Sequence, residues 1–430
     1  MQEHKISLRT AILLNMNIMI GSGIFISPSK IAAIAGNASF LAWPAVVLLF
    51  LPLVLCTVQL SKMFPGCGGF YAYAKEGLGT AAGFTSGWSY IMGYIFCIAV
   101  DIMALHEILA TMSGNSWLAE HPTLFYVAAL VAFILFNLMG LKLLAKVLDS
   151  MTIAKTLPLI ALILLLPFVL DPSFTVTAAQ VSMVPLSLTF AMFSFLGFEA
   201  CCSVSHLIED GEKNAPRAIL FGFIITAILY MLFHVGLLQV MGLDNLISDG
   251  ASSYATFLNM PAFPYVKLLL NLLVRIVSVG TIIAGSIGLL NANAIMMHSL
   301  GSEGIFRGSS LMTKMSGNNR PWSALVIQGF IIFALLMAMP SMAIIGSLCT
   351  MAVFLAFVLP LVSLLLLQKQ RHAVRRMPLT VLALFTAVGL ACYSWYTLGT
   401  SVTERMLCAL PFIVVMFVGY ILYTGYKKRA

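Results

Sequence analysis

Charge is scarce in this chain. Asp, Glu, Lys and Arg make up 9% of 430 residues, where a soluble domain averages about a quarter. That excludes a water-soluble globular body. Long polar linkers and low-complexity tracts are also missing, so no separate soluble domain is expected. No Gly-x-x-x-x-Gly-Lys-Ser/Thr occurs, which argues against an ATP-driven pump. His-x-x-x-His, His-Glu-x-x-His, Gly-x-Ser-x-Gly and paired carboxylates are absent from the apolar runs. A membrane-embedded enzyme would therefore lack its nucleophile–base pair or metal cluster, and neither enzyme activity nor a cofactor or metal is expected. The 8 cysteines, from Cys56 to Cys408, show no metal-ligand spacing. Adjacent Cys201 and Cys202 point to different helix faces, and all are read as small apolar packing residues.

What fills the chain instead is hydrophobic sequence, 61% of residues. Twelve candidate spans of about 20 residues, the length a bilayer core requires, centre near Ile20, Leu51, Phe96, Phe133, Ile163, Phe195, Ala227, Ile282, Ile332, Leu355, Leu384 and Val415. No cleavable signal peptide is expected from the polar start and the long first apolar run. The net charge of +8 is distributed by topology. With the N-terminus in the cytoplasm, 18 of the 23 Lys and Arg fall on cytoplasmic segments, including Arg371, Arg375 and Arg376. This asymmetry fixes both termini inside and makes the basic balance an orientation signal rather than a nucleic-acid surface.

Gly21-Ser22-Gly23-Ile24-Phe25 lies in the middle of the first span. Two glycines around a serine are poor helix formers. A lipid-facing span cannot leave backbone groups unpaired, so a break here must be buried in protein or line a polar cavity. N–H groups around Ser22, Gly23 and Ile24, at the start of the following half-helix, form an anion site suited to a carboxylate. The bland alternative is a glycine packing seam. The spacing of two between Gly21 and Gly23 disfavours that seam, because one helix face cannot carry both. A second interruption is expected in the sixth span, at Phe193-Ser194-Phe195-Leu196-Gly197-Phe198-Glu199. Paired broken helices point to two five-span repeats of opposite topology, one over about 10–170 and one over about 184–368, with accessory helices over about 378–426 in a single 1–430 domain.

Four patches in order carry a family resemblance: Gly21 to Phe25; Phe64-Pro65-Gly66-Cys67-Gly68-Gly69-Phe70-Tyr71-Ala72-Tyr73 with Gly79, Gly83-Phe84 and Gly87-Trp88; Phe195 to Glu199; and Glu209 through Asn214-Ala215-Pro216-Arg217. The chain resembles the amino acid–polyamine–organocation transporters, whose resemblance spans all twelve segments. It implies an all-α membrane protein with twelve helices, a five-plus-five inverted repeat like that of the leucine transporter, and broken first and sixth spans.

The resemblance also assigns positions. Carbonyls of Met19, Phe193 and Leu196 would take a substrate amino group, and Phe193 would be an aromatic gate, while Phe195 and Phe198 read as core. Glu199, an ionisable residue inside a span, is a functional candidate by default and matches a glutamate of basic amino acid and polyamine antiporters. It would couple release to a proton or brace the unwound backbone. Lys155 matches a lysine of sodium-independent members, bridging the fifth span to the first where relatives hold sodium; a snorkelling lysine is the alternative. Asp101 lies on the face that members turn toward the substrate side chain. There it would favour a cationic side chain, or else pair with Arg275. Tyr90 is a weaker substrate contact. Ser286, Asn291, Asn293, His206 and His234 read as interhelical packing. Glu209 to Arg217, with Arg9 and Lys62, would form an inner salt-bridge gate.

These features point to a secondary, sodium-independent amino acid transporter working by alternating access, by exchange or proton coupling, with cationic amino acids as candidate substrates. An amine or polyamine exchanger is the alternative, disfavoured because such a substrate leaves the carboxylate site unused. A neutral amino acid permease and a transporter-like nutrient sensor are the others. The expected setting is a plasma or bacterial inner membrane. The expected partners are a small amino acid and lipid, not nucleic acid, with a homodimer left open.

Overall fold

The computed structural model describes residues 5–66, 68–113, 116–169, 174–248, 264–339 and 341–427; the side chains of 264–278 and of some other helical positions lie outside that description. Cys67 and the Arg275 side chain are therefore outside it. Among the described residues the chain is helical. It contains α1 (Leu8–Met19), α2 (Gly23–Ala35), α3 (Ala42–Met63), α4 (Gly69–Leu78), α5 (Thr80–Ser113), α6 (Ser116–Glu120), α7 (Pro122–Asn137) and α8 (Leu141–Val169). There follow α9 (Ala178–Ser194), α10 (Gly211–Met241), α11 (Leu243–Ser248), α12 (Pro264–Ser302), α13 (Trp322–Ala338), α14 (Met342–Gln370), α15 (Met377–Tyr396) and α16 (Val402–Lys427).

Among the described residues, seven helical stretches are long and apolar enough to cross a membrane: Gly23–Met63, Thr80–Ala110, Gly211–Met241, Val279–Ser302, Met342–Gln370, Val374–Tyr396 and Val402–Thr424. Shorter apolar helices cover Pro122–Asn137, Ala178–Ser194 and Trp322–Ala338. The first stretch is two helices, because Gly36 takes φ +56° and a 3-10 segment over Gly36–Leu41 turns the chain. Large apolar side chains cover the outside: Phe168 is 84% exposed, Phe385 73% and Phe330 72%. Apolar surface on this scale suits hydrocarbon rather than water.

The core runs between α1, α5, α10, α12 and α14, and it is there that buried polar residues collect, among them Asn15, Asn17, Ser22, Asp101, Lys155, Glu199 and Ser286. The helix starts follow local chemistry. Ser7 caps α1 by accepting from the Thr10 N–H, and Thr177 and Gln180 form a capping box at α9, each satisfying amides that a helix start leaves unpaired.

Two interruptions position the candidate site. α1 stops at Met19, and Ile20 leaves helical geometry (φ −79°, ψ 77°) before α2 starts at Gly23. α9 stops at Ser194. From Phe195 to Leu207 the chain then runs through turns and two 3-10 segments, with Gly197 at φ +99°. The second half of this segment is therefore not an α-helix. The two interruptions meet: a Cβ on Gly197 would lie 2.5 Å from Ile18 Cγ2. A parallel bridge between Ile6 and Ile208 ties the chain before α1 to the end of the unwound stretch.

Candidate functional site

The first break is closed by side chains from three other helices. Lys155 Nζ on α8 donates to the carbonyls of Asn17 (2.7 Å) and Ile20 (2.6 Å). The Tyr230 hydroxyl on α10 donates to the Met19 carbonyl at 2.6 Å. These are the carbonyls a helix end leaves unpaired, and an ammonium there complements the negative end of α1. At the opposite, amide end of the break, Ser22 Oγ donates to Asp101 Oδ1 at 2.5 Å, and Ser286 Oγ on α12 donates to Oδ2 at 3.2 Å. Asp101 on α5 is 4% exposed and Lys155 2%. The break thus has a buried lysine at its carbonyl end and a buried aspartate at its amide end. The alternative pairing of Asp101 with Arg275 falls on a side chain outside the described residues.

Small residues allow the close approach. A Cβ on Gly285 would sit 3.4 Å from the Gly21 Cα, and one on Gly23 would sit 2.9 Å from the Ser194 Cα. Gly23 therefore serves the packing of α2 on α9 as well as the break. Ser27 Oγ shares a 2.9 Å hydrogen bond with Ser194 Oγ across the same contact.

The second break is braced from α1 and α5. Asn15 Nδ2 donates to the Phe198 carbonyl at 2.7 Å. The Tyr94 hydroxyl donates to Glu199 Oε1, while Oε2 has no hydrogen-bond partner. Glu199 is fully buried. Tyr90 stacks on Phe70 (4.7 Å between centroids) and lies 4.7 Å from the Tyr94 ring, so it belongs to the surroundings of Glu199 rather than to those of Asp101. Phe195 packs on Trp43, Phe50, Phe223 and Tyr230, and Phe198 on Phe50, Phe223 and Phe357. Both are core, as expected. Phe193 is only half-buried, at the end of α9. Leu196 lies buried in the unwound stretch, its N–H donating to the Phe193 carbonyl at 3.2 Å. Ile24 is fully buried in the first turn of α2.

Other polar residues act as ties between helices. Asn293 Nδ2 donates to Ile91 O and Gln328 Oε1, Asn291 accepts from Arg320, and His234 bonds Trp43 and Ser39. The Trp43 N–H donates to His234 Nδ1, so the proton of the neutral ring sits on Nε2.

Among the described residues, no ion pair of the inner gate expected around Glu209 to Arg217 is formed. A side-chain ion pair joins Lys75 to Glu303 at 2.7 Å, between α4 and the end of α12. Tyr71 donates to the same Glu303 oxygen at 2.9 Å. Its glutamate bond holds Lys75 above the ordinary lysine value. Partial burial pushes Glu303 up, but the Lys75 and Tyr71 bonds outweigh it and hold the carboxyl below its usual range.

Sequence reading missed Asn15, Asn17, Tyr230 and the Ser27–Ser194 pair. Asn17 Nδ2 donates to the Ala284 carbonyl at 2.8 Å and so ties α1 to α12. Two amides just before the break, in an otherwise apolar run, were the available signal.

Comparison with known proteins agrees with this architecture. The family model described as amino acid permease matches residues 6–419. The chain is 24% identical over 442 aligned positions to the serine/threonine exchanger SteT of Bacillus subtilis (strain 168), covering 99% of this chain and 98% of that protein. It is 24% identical over 259 positions to the aspartate-proton symporter of the same organism, 57% of this chain and 49% of that one. It is 27% identical over 188 positions to the low-affinity putrescine importer PlaP of Escherichia coli (strain K12), 40% of each chain. With the family match running over nearly its whole length, this multi-pass membrane protein belongs to the amino acid permease family, whose members are transporters and not enzymes.

Proposed function

We propose that this chain is a sodium-independent secondary transporter of small amino compounds, working by alternating access and exchange, with a cationic substrate held between the two breaks. In this reading twelve spans form two inverted five-span repeats, over about 10–170 and 184–368, with two accessory helices over about 378–426. Both termini face the cytoplasm of a bacterial inner membrane. The observation that carries it is the pair of buried ionisable side chains at the first break. Lys155 fills the carbonyl end, where an ion would otherwise be needed. Asp101 presents a carboxylate in a dry setting, and an intramembrane charge of that kind marks a substrate path. Phe193 closes over the substrate, the carbonyls of Phe193 and Leu196 take an amino group, and Glu199 links the second break to proton movement.

The relatives' names cover a neutral amino acid pair, an acidic amino acid and a diamine. Substrate choice therefore follows from this chain's own residues. Full-length similarity to a serine/threonine exchanger supports a second reading, a neutral amino acid exchanger in which Lys155 balances Asp101. Counterflow in sodium-free proteoliposomes, each loaded with the compound tested, separates them: arginine, putrescine, serine and aspartate are the probes. Flux of arginine or putrescine without serine supports the first reading. Serine flux alone supports the second, and aspartate flux alone overturns both.

A further inference from the structure

We propose that Asp101 occupies the seat of a substrate carboxylate at the first break, so that the protein selects amines lacking an α-carboxylate over the corresponding amino acids. This rests on the transport reading above and narrows its substrate class.

The amides at the start of α2 and the Ser22 hydroxyl are the groups that would hold an amino acid's carboxylate. A carboxylate is already there. Ser22 donates to one Asp101 oxygen at 2.5 Å and Ser286 to the other at 3.2 Å. A Cβ on Gly21 would lie 3.8 Å and 3.9 Å from the two oxygens, so the carboxylate lies over the break itself. Behind it the α12 backbone closes on Gly21, at the Gly285 contact. A second carboxylate would share these donors with Asp101, and like charges so placed repel unless one takes up a proton.

The carbonyl side is committed in the same way. Asn17 and Ile20 accept from Lys155, and Met19 accepts from Tyr230. Lys155 and Asp101 do not form an ion pair within 4.0 Å. The unused capacity at the site is acceptor capacity, that of a carboxylate with two oxygens. It fits an ammonium group. The seat left unused by an amine substrate is thus filled by the protein, which removes the main objection to an amine.

Three matched pairs test this without any variant: arginine and agmatine, ornithine and putrescine, lysine and cadaverine. Within each pair only the α-carboxylate differs. In sodium-free counterflow the amine of each pair is expected to exchange at least about tenfold faster at limiting concentration, the scale of a like-charge penalty at a binding surface. Equal or faster exchange of the amino acid would overturn the proposal while leaving the transport reading intact. Absence of flux for all six compounds, with serine carried in the same vesicles, would remove the cationic-substrate reading and the proposal with it. Asp101→Asn, checked for monodispersity, is expected to narrow or reverse the ratio within each pair. An unchanged ratio in a folded variant would show that Asp101 is not the selector.

Discussion

Gly23→Ala separates the packing at the break from simple helix propensity. The new Cβ would meet Ser194 Oγ at 2.5 Å and Ser194 Cα and Cβ at 2.9 Å. The hydroxyl can rotate away, but the Cα is backbone and cannot. Moving from 2.9 Å to the roughly 3.5 Å of an ordinary carbon–carbon contact displaces α2 from α9 by about 0.6 Å. Overpacking of this kind costs about 1–3 kcal/mol, and the shift also stretches the 2.9 Å Ser27–Ser194 hydrogen bond. Alanine's better helix propensity returns at most about 1 kcal/mol. The net expectation is a loss of about 1–2 kcal/mol, seen as a Tm lower by a few degrees in detergent, with a steeper fall in counterflow because α2 and α9 flank both breaks. Gly389→Ala on α15 is the control, since a Cβ there meets nothing within 4 Å; its Tm should be unchanged or raised. Ser194→Gly in the Gly23→Ala background removes two of the three obstructing atoms and should recover part of the loss. Wild-type Tm and flux for Gly23→Ala would mean that α2 and α9 do not need their close contact at Gly23.

Asn15→Ala leaves the buried Phe198 carbonyl without its donor. It should cost about 1–3 kcal/mol in thermal denaturation, and a Tm within error of wild type would count against the bracing role. Gly197→Ala places a side chain at φ +99° and against Ile18, so flux should fall sharply even where folded protein is recovered; undiminished flux would mean the two breaks do not need their contact. Glu303→Gln cuts the Lys75 link between α4 and α12. Both side chains are just over a third exposed, so the effect on stability is expected at a few tenths of a kcal/mol and should vanish in high salt. Because Glu303 is held below the ordinary carboxylate value, its contribution is present above that value and lost as pH falls through the depressed one. Because Lys75 is held above the ordinary lysine value, its share is present below that value and lost as pH rises through the raised one. The link is therefore intact at neutral pH, and a wild-type/variant gap that persists in acid would contradict it.

The two breaks were legible because Gly-Ser-Gly and the Gly197 stretch contradict a helix inside runs too apolar to be loops. Asp101, Lys155 and Glu199 were legible for a related reason: an ionisable group within a span needs an explanation. Their partners were not. An amide or hydroxyl in an apolar run reports that it is buried, but its partner depends on which helices meet. Asn15 reaches a carbonyl 183 residues away, Asn17 one 267 away and Tyr230 one 211 away. Sequence also placed the cytoplasmic salt bridges by sidedness alone, which chose the Glu209 region; the pair that forms joins residues 228 apart. The largest shift concerns Asp101. The resemblance put it on the face turned toward a substrate side chain; its Ser22 bond sets it at the amide end of the break.

We propose that Lys155 at the first break takes the place of a dissociable ion. The direct measurement is counterflow of the best-carried amine or amino acid with sodium replaced by choline on both sides of the membrane, in wild type and in Lys155→Ala. Wild-type rates should be the same in both salts, and the variant, with the Asn17 and Ile20 carbonyls unpaired, should lose flux in choline. Wild-type flux that collapses without sodium would contradict the account.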